Sequence, residues 1–223
     1  MIVVALPSGG VELDAWMDEA DDPRAVIALA HGAGAGHEHP FLVGAARVWA
    51  DAGFTTVRFD FPYRHAGRRM PGPAAHAVET WAAVETFCRG AAPGLPFVAA
   101  GKSYGGRMAS MAAAEGRIGA DALVYLGYPL HPPGRPENAR TAHLPAVTAP
   151  QLFLAGTKDP FLQPLVDLEA AVAACHDAEI RWFEGGGHSF EVAGRKLPAD
   201  EVGAATARSA VPWLSARLQR PAA

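Results

Sequence analysis

The chain has 223 residues, half of them hydrophobic, enough for a substantial core in a single domain expected to span 1–223. A formal net charge of −4 offers no general attraction to phosphate backbones, so no nucleic-acid partner is expected. No apolar run approaches the length of a membrane span, and the start lacks the basic and long apolar regions of a secretory leader; a soluble, cytoplasmic protein with no membrane partner is the expectation.

In chain order, VELDAWMD (11–18) alternates and predicts an early antiparallel strand, whereas AVIALAHG (25–32) is a continuous apolar run of the buried parallel kind. Helical periodicity follows over 41–52. A strand at 55–61 and a helix at about 74–89 come next. PFVAAGKS then reads as a strand leading into a helix that opens near Tyr104, with Met108, Met111 and Ala112 on one face. DALVYLGYP, QLFLAGTKD and EIRWFEGGG predict three more strands, separated by the Pro-rich stretch 130–150 and by a helix at about 162–175. A last helix, 200–218, contains Pro212, which predicts a kink or break.

Repeated βα units imply an α/β fold with a mainly parallel sheet and helices on both faces. Such sheets bind ligands at the strands' carboxyl ends, where the Gly-rich turns of this chain fall. The Pro-rich stretch is too short for a cap domain and predicts an open site with at most a small flap. Cys88 and Cys175 fit free thiols better than a disulfide framework or a metal site.

FVAAGKSYGGRM (97–108) admits two readings. A phosphate-binding loop, G-x-x-x-x-G-K-[ST], needs a first glycine where this chain has Pro96, which has no N–H, and FVAA reads as buried strand. The competing motif is G-x-S-x-G, matched by Gly101-Lys102-Ser103-Tyr104-Gly105. In a nucleophile elbow the serine occupies a strained turn between strand and helix, and its neighbours must be small. The strand before and the helix after favour this reading over a merely structural serine turn.

A serine hydroxyl needs a base to take its proton and a third group to orient that base. In this architecture the order is Ser, then Asp or Glu, then His, each on a loop after a strand. Asp159 in GTKDP and His188 in GGGHSF occupy those places. Asp159 has an alternative reading as a helix cap, and His188 as an ordinary loop histidine. Backbone donors for an oxyanion are expected from Tyr104, at a helix N-terminus, and from AHGAGAG, where Ala33 is the first choice and Gly34 the next. His31 is expected to support that loop by hydrogen bonding.

With AHGAGAG, RFDFPY, GKSYGGRMAS, LGYPLHPPG, GTKD and GHSF assembled, the chain resembles the serine α/β-hydrolase family, on its dienelactone-hydrolase-like side. More closely, it looks like small bacterial predicted hydrolases related to the testis-expressed hydrolase-like proteins. The resemblance implies an eight-stranded, mostly parallel sheet without a cap domain, and a triad of Ser103, Asp159 and His188. Dienelactone hydrolases proper use a cysteine nucleophile, so their substrate is not carried over. Tyr104 departs from the methionine of many relatives, which alters the pocket wall and leaves the backbone donor in place.

Tyr63 and Arg64 after one strand, and His131 and Arg135 after another, are expected at the rim. Arginines there suggest an anionic substrate, against the plainer reading of a solvated basic surface. His37, Glu38 and His39 lie too close together to make good zinc geometry unaided, so no metal is expected. The expected function is a cofactor-free, carboxylesterase-like serine hydrolase acting on a small-molecule ester, or on a thioester or lactone. The alternative is a non-catalytic binding or scaffold protein on a hydrolase fold; a nucleotide-binding protein ranks third.

Overall fold

The computed structural model describes residues 1–7 and 9–218. The chain runs β1 (Ile2–Leu6), β2 (Gly9–Leu13), β3 (Ala15–Asp18), β4 (Ala25–Ala30), α1 (Pro40–Asp51), β5 (Phe54–Phe59), α2 (Pro62–His65) and α3 (Ala74–Ala91). It continues with β6 (Phe97–Lys102), α4 (Tyr104–Ala114), β7 (Ala122–Leu126), β8 (Gln151–Gly156), α5 (Leu165–Ala173), β9 (Ala178–Phe183) and α6 (Ala199–Arg217). Among the described residues, seven strands form one sheet in the order β3-β5-β4-β6-β7-β8-β9, parallel except for β3.

The continuous apolar strands are buried on both faces, and their alternate residues divide between two cores. On β4, Val26, Ala28 and Ala30 join the core with α3, α4 and α5; Ala25, Ile27 and Leu29 join the core with α1 and α6. Period-two geometry makes this split obligatory for a strand between two helical layers.

Two expectations are corrected. The main sheet has seven strands where eight were expected, because the predicted strand at 11–18 divides at Asp14. Residues before it pair with β1 in a separate hairpin, placing Ile2, Val4 and Leu13 in the core beside α3; those after it form the antiparallel edge strand β3. The last helix also runs through Pro212 without a break. Proline removes one backbone bond there, and burial of Ala210, Trp213 and Leu214 on either side holds the helix in place.

Helices α1 and α6 cross at backbone contact. A Cβ on Gly44 would overlap the Asp200 carbonyl, and one on Gly203 the Phe41 carbonyl. Trp49 Nε1 donates to the Ala207 carbonyl across the same crossing at 3.1 Å. Among the described residues, no helix is long and apolar enough to cross a membrane.

Candidate active site

At the carboxyl end of β6 the chain turns sharply into α4, and Ser103 at the turn has φ 49° and ψ −112°. A non-glycine residue in that region costs on the order of 1–3 kcal/mol, which tight surroundings must offset. Those surroundings exclude side chains: a Cβ on Gly101 would run into the backbone of Gly105 and Gly106, and one on Gly105 would lie 2.6 Å from the His31 carbonyl oxygen. The Ser103 amide donates to the Leu126 carbonyl at 3.1 Å, anchoring the turn to β7.

Asp159 follows β8 and is fully buried. Its Oδ1 accepts from the Phe161 amide at 2.8 Å, and its Oδ2 lies 2.7 Å from His188 Nδ1. His188 Nε2 lies 2.8 Å from Ser103 Oγ. With an ionised Asp159 the imidazole proton sits on Nδ1, leaving Nε2 free to accept from the serine hydroxyl. The close approach of this loop depends on Gly156 at the end of β8. The Gly186 and Gly187 carbonyls press against Gly156, where a Cβ would overlap them, and the Lys158 amide donates to Gly186 at 2.9 Å. Phe161 packs on the imidazole at 4.2 Å between ring centroids.

Ser103 and His188 line a cavity of about 320 Å³ walled mainly by Ala33, Ala35, Phe41, Leu42 and Phe161. The loop after β4 reaches it closely: a Cβ on Gly32 would be 3.7 Å from Ser103 Cβ. Among the described residues the amides of Ala33 and Tyr104 have no hydrogen-bond partner, and both belong to segments bordering Ser103. His31 holds this loop, its Nδ1–H donating to the Gly32 carbonyl at 2.8 Å while Nε2 accepts from the Phe61 amide at 3.2 Å. Burial, above all, holds its pKa below the usual histidine value, consistent with a neutral ring. His39 begins α1, its Nδ1 accepting from the Phe41 amide at 3.3 Å, so that Nε2–H is the donor it offers the cavity.

The four expected rim residues do not line this cavity. Tyr63 is buried beside Tyr104 in a separate cavity of about 230 Å³, its phenol pushed up by burial. Arg64 turns toward Asp60 and Gly36. His131 is fully buried behind Phe161, whose carbonyl accepts from its amide, and Arg135 is exposed on the Pro-rich loop. A larger cavity of about 920 Å³ lies behind the His188 loop, between Phe190, Arg195 and Val202, and Ser103 has no part in it.

Sequence reasoning missed two residues. Asp60 accepts from the His37 amide at 2.7 Å and shapes the turn after the oxyanion-loop candidate; its signal was a carboxylate set between two phenylalanines at the end of a buried strand. Lys102, weighed only as part of Gly-Lys-Ser, is buried and reaches the His188 carbonyl with its ammonium at 2.8 Å.

Residues 23–211 match the family described as alpha/beta hydrolase domain. Among solved structures, a dienelactone hydrolase from Anabaena variabilis is similar with a TM-score of 0.75 and 22% identity, covering 98% of this chain and 97% of that one. Est1E from Butyrivibrio proteoclasticus, solved with bound ferulic acid, superposes with a TM-score of 0.74 at 16% identity, over 96% of this chain and all of that one. A serine hydrolase without a lid from Xanthomonas campestris gives a TM-score of 0.70 at 20% identity, over 99% and 95%. At these identities the likeness shows the fold, and the near-complete coverage fits a chain with no cap domain.

Proposed function

The chain belongs to the alpha/beta hydrolase family, and on that premise we propose that it is a one-domain, carboxylesterase-like serine hydrolase cleaving esters of small acyl groups. The supporting observation is the hydrogen-bonded line from Asp159 through His188 to Ser103, three residues from three different strand ends meeting at one cavity. In this reading Ser103 Oγ attacks the ester carbonyl while His188 Nε2 takes its proton. The same nitrogen then returns the proton to the departing alcohol. Asp159 keeps the other imidazole proton on Nδ1 and stabilises the cation that forms. Water, deprotonated by His188, attacks the acyl-enzyme and releases the acid and free Ser103.

The amides of Tyr104 and Ala33 are the oxyanion donors in this mechanism. The Tyr104 amide belongs to the first turn of α4, where the helix dipole favours negative charge. The apolar walls favour an uncharged acyl group, and thioesters or lactones of similar size would enter the same chemistry. Arg64 and Arg135 lie outside the cavity, so the rim arginines give an anionic substrate no support; the cation that does line it, Lys102, has its ammonium engaged by the His188 carbonyl.

A series of p-nitrophenyl esters of graded acyl length and charge tests the proposal. Short neutral acyl groups should turn over fastest, and Ser103→Ala and His188→Ala should each lower kcat by on the order of 10⁴-fold or more. Undiminished turnover in Ser103→Ala would refute it.

A further inference from the structure

We propose that Lys102 is a positioning residue whose buried ammonium clamps the loop that carries His188 and so holds the imidazole over Ser103. The inference rests on the reading of Ser103 and His188 given above. Lys102 ends β6 immediately before the elbow, and it borders the cavity while its ammonium turns to the His188 loop instead of leaving for solvent; the residue is 9% exposed. Nζ donates to the His188 backbone oxygen at 2.8 Å, and among the described residues that oxygen has no other donor. Gly127, with φ 70°, leaves the passage open: a Cβ there would lie 2.8 Å from the His188 oxygen and 3.3 Å from Lys102 Nζ.

The energetics point to a specific task. A buried cation is costly, and a methionine of similar volume fills such a site without that cost. Burial accordingly pulls Lys102 down to about 8, opposed by the nearby Asp159 and Glu191 carboxylates, which favour its charged form. What the lysine supplies that methionine does not is one charge-assisted hydrogen bond on the peptide of His188. The neighbouring bonds, Lys158 to Gly186, Phe190 to Gly187 and the Ser189 amide to Glu191 Oε2 at 2.9 Å, hold the flanks of the loop and leave the His188 carbonyl to Lys102. Displacements of about 1 Å at a reacting group can cost roughly 100-fold in rate, so one such bond has large leverage on the imidazole.

The test compares wild type, Lys102→Met and Ser103→Ala on p-nitrophenyl acetate, with active-site titration to count competent molecules and a thermal melt to establish folding. Lys102→Met should lower kcat by roughly 30- to 100-fold with KM within about twofold. The rate of fluorophosphonate labelling at Ser103 should fall by a similar factor. Should the methionine variant fail to melt cooperatively, Lys102→Gln, whose shorter amide cannot span the same gap, is held to the same expectation. A folded variant with wild-type kcat and a changed melting temperature would mean Lys102 only packs, and would overturn the clamp. If Ser103→Ala is inactive in that same experiment, the nucleophile reading stands while the clamp falls. Wild-type turnover in Ser103→Ala would remove both.

Discussion

Ser103 has a backbone conformation that most residues avoid, and the glycines around it are fitted to that strain. Gly105 tests the contact between the elbow and the loop after β4, because a Cβ there would meet the His31 carbonyl at 2.6 Å and Ala30 Cβ at 2.7 Å. Gly105→Ala should therefore push the elbow away from the oxyanion loop, lowering kcat by roughly 100-fold and destabilising the fold by about 1–3 kcal/mol, read from ester turnover and urea unfolding. Lys102 makes a second prediction through its proton. Its folded value of about 8 lies below the ordinary lysine value of 10.5, so the folded state gives up this proton first as pH rises. Between pH 8 and 10 the unfolded chain holds more protons, and this group's contribution to stability rises with pH, by up to roughly 3 kcal/mol. Unfolding free energies measured across that window should rise in wild type relative to Lys102→Met; parallel curves would contradict the assignment.

The elements that position the cavity are themselves held by close contacts. Helix α1 brings Phe41 and Leu42 to the cavity wall, and its depth is set by the two glycines at the α6 crossing. Gly44→Ala or Gly203→Ala should cost about 1–3 kcal/mol in urea unfolding and lower turnover as well, since the backbones must separate to admit a methyl group. A wild-type midpoint in either variant would show that the crossing can relax. The Pro-rich stretch is tied down differently. Ser110 of α4 donates to the Arg107 carbonyl, so His143 Nε2–H donates to Ser110 Oγ at 2.7 Å. Burial, and then the Arg107 guanidinium, hold His143 down to about 4. As pH falls below 6.5 the unfolded chain takes up this proton first, so the stability that neutral His143 contributes is complete above about 6.5 and lost toward 4. His143→Gln, which keeps a donor and removes the titration, should flatten the acid loss of stability between those values, as urea midpoints would show.

Across the whole molecule, what the sequence made legible follows from how local each signal is. Strands buried on both faces read as unbroken apolar runs, so β4, β6, β7 and β8 were visible, and the strand–Ser103–helix turn stood out by its glycines. Asp159 and His188 could be named as candidates because chain order and strand ends limit where a triad partner can stand; the hydrogen bonds that join them to Ser103 need the fold. The β1–β2 hairpin was hidden because Ile2 and Val4 are buried in a core that includes α3, far along the chain. The break that was one of the two outcomes expected at Pro212 does not occur, because local propensity takes no account of the α1 packing that keeps α6 whole. Lys102 was invisible as a clamp, since its acceptor, a backbone oxygen 86 residues away, carries no sequence signal.

The most direct test of the account is covalent labelling. Folded protein treated with a fluorophosphonate and digested for mass spectrometry should carry one adduct, on Ser103, and His188→Ala should carry none after the same exposure. Folded wild-type protein that stays unlabelled, or that labels equally without His188, would contradict a serine activated by that histidine.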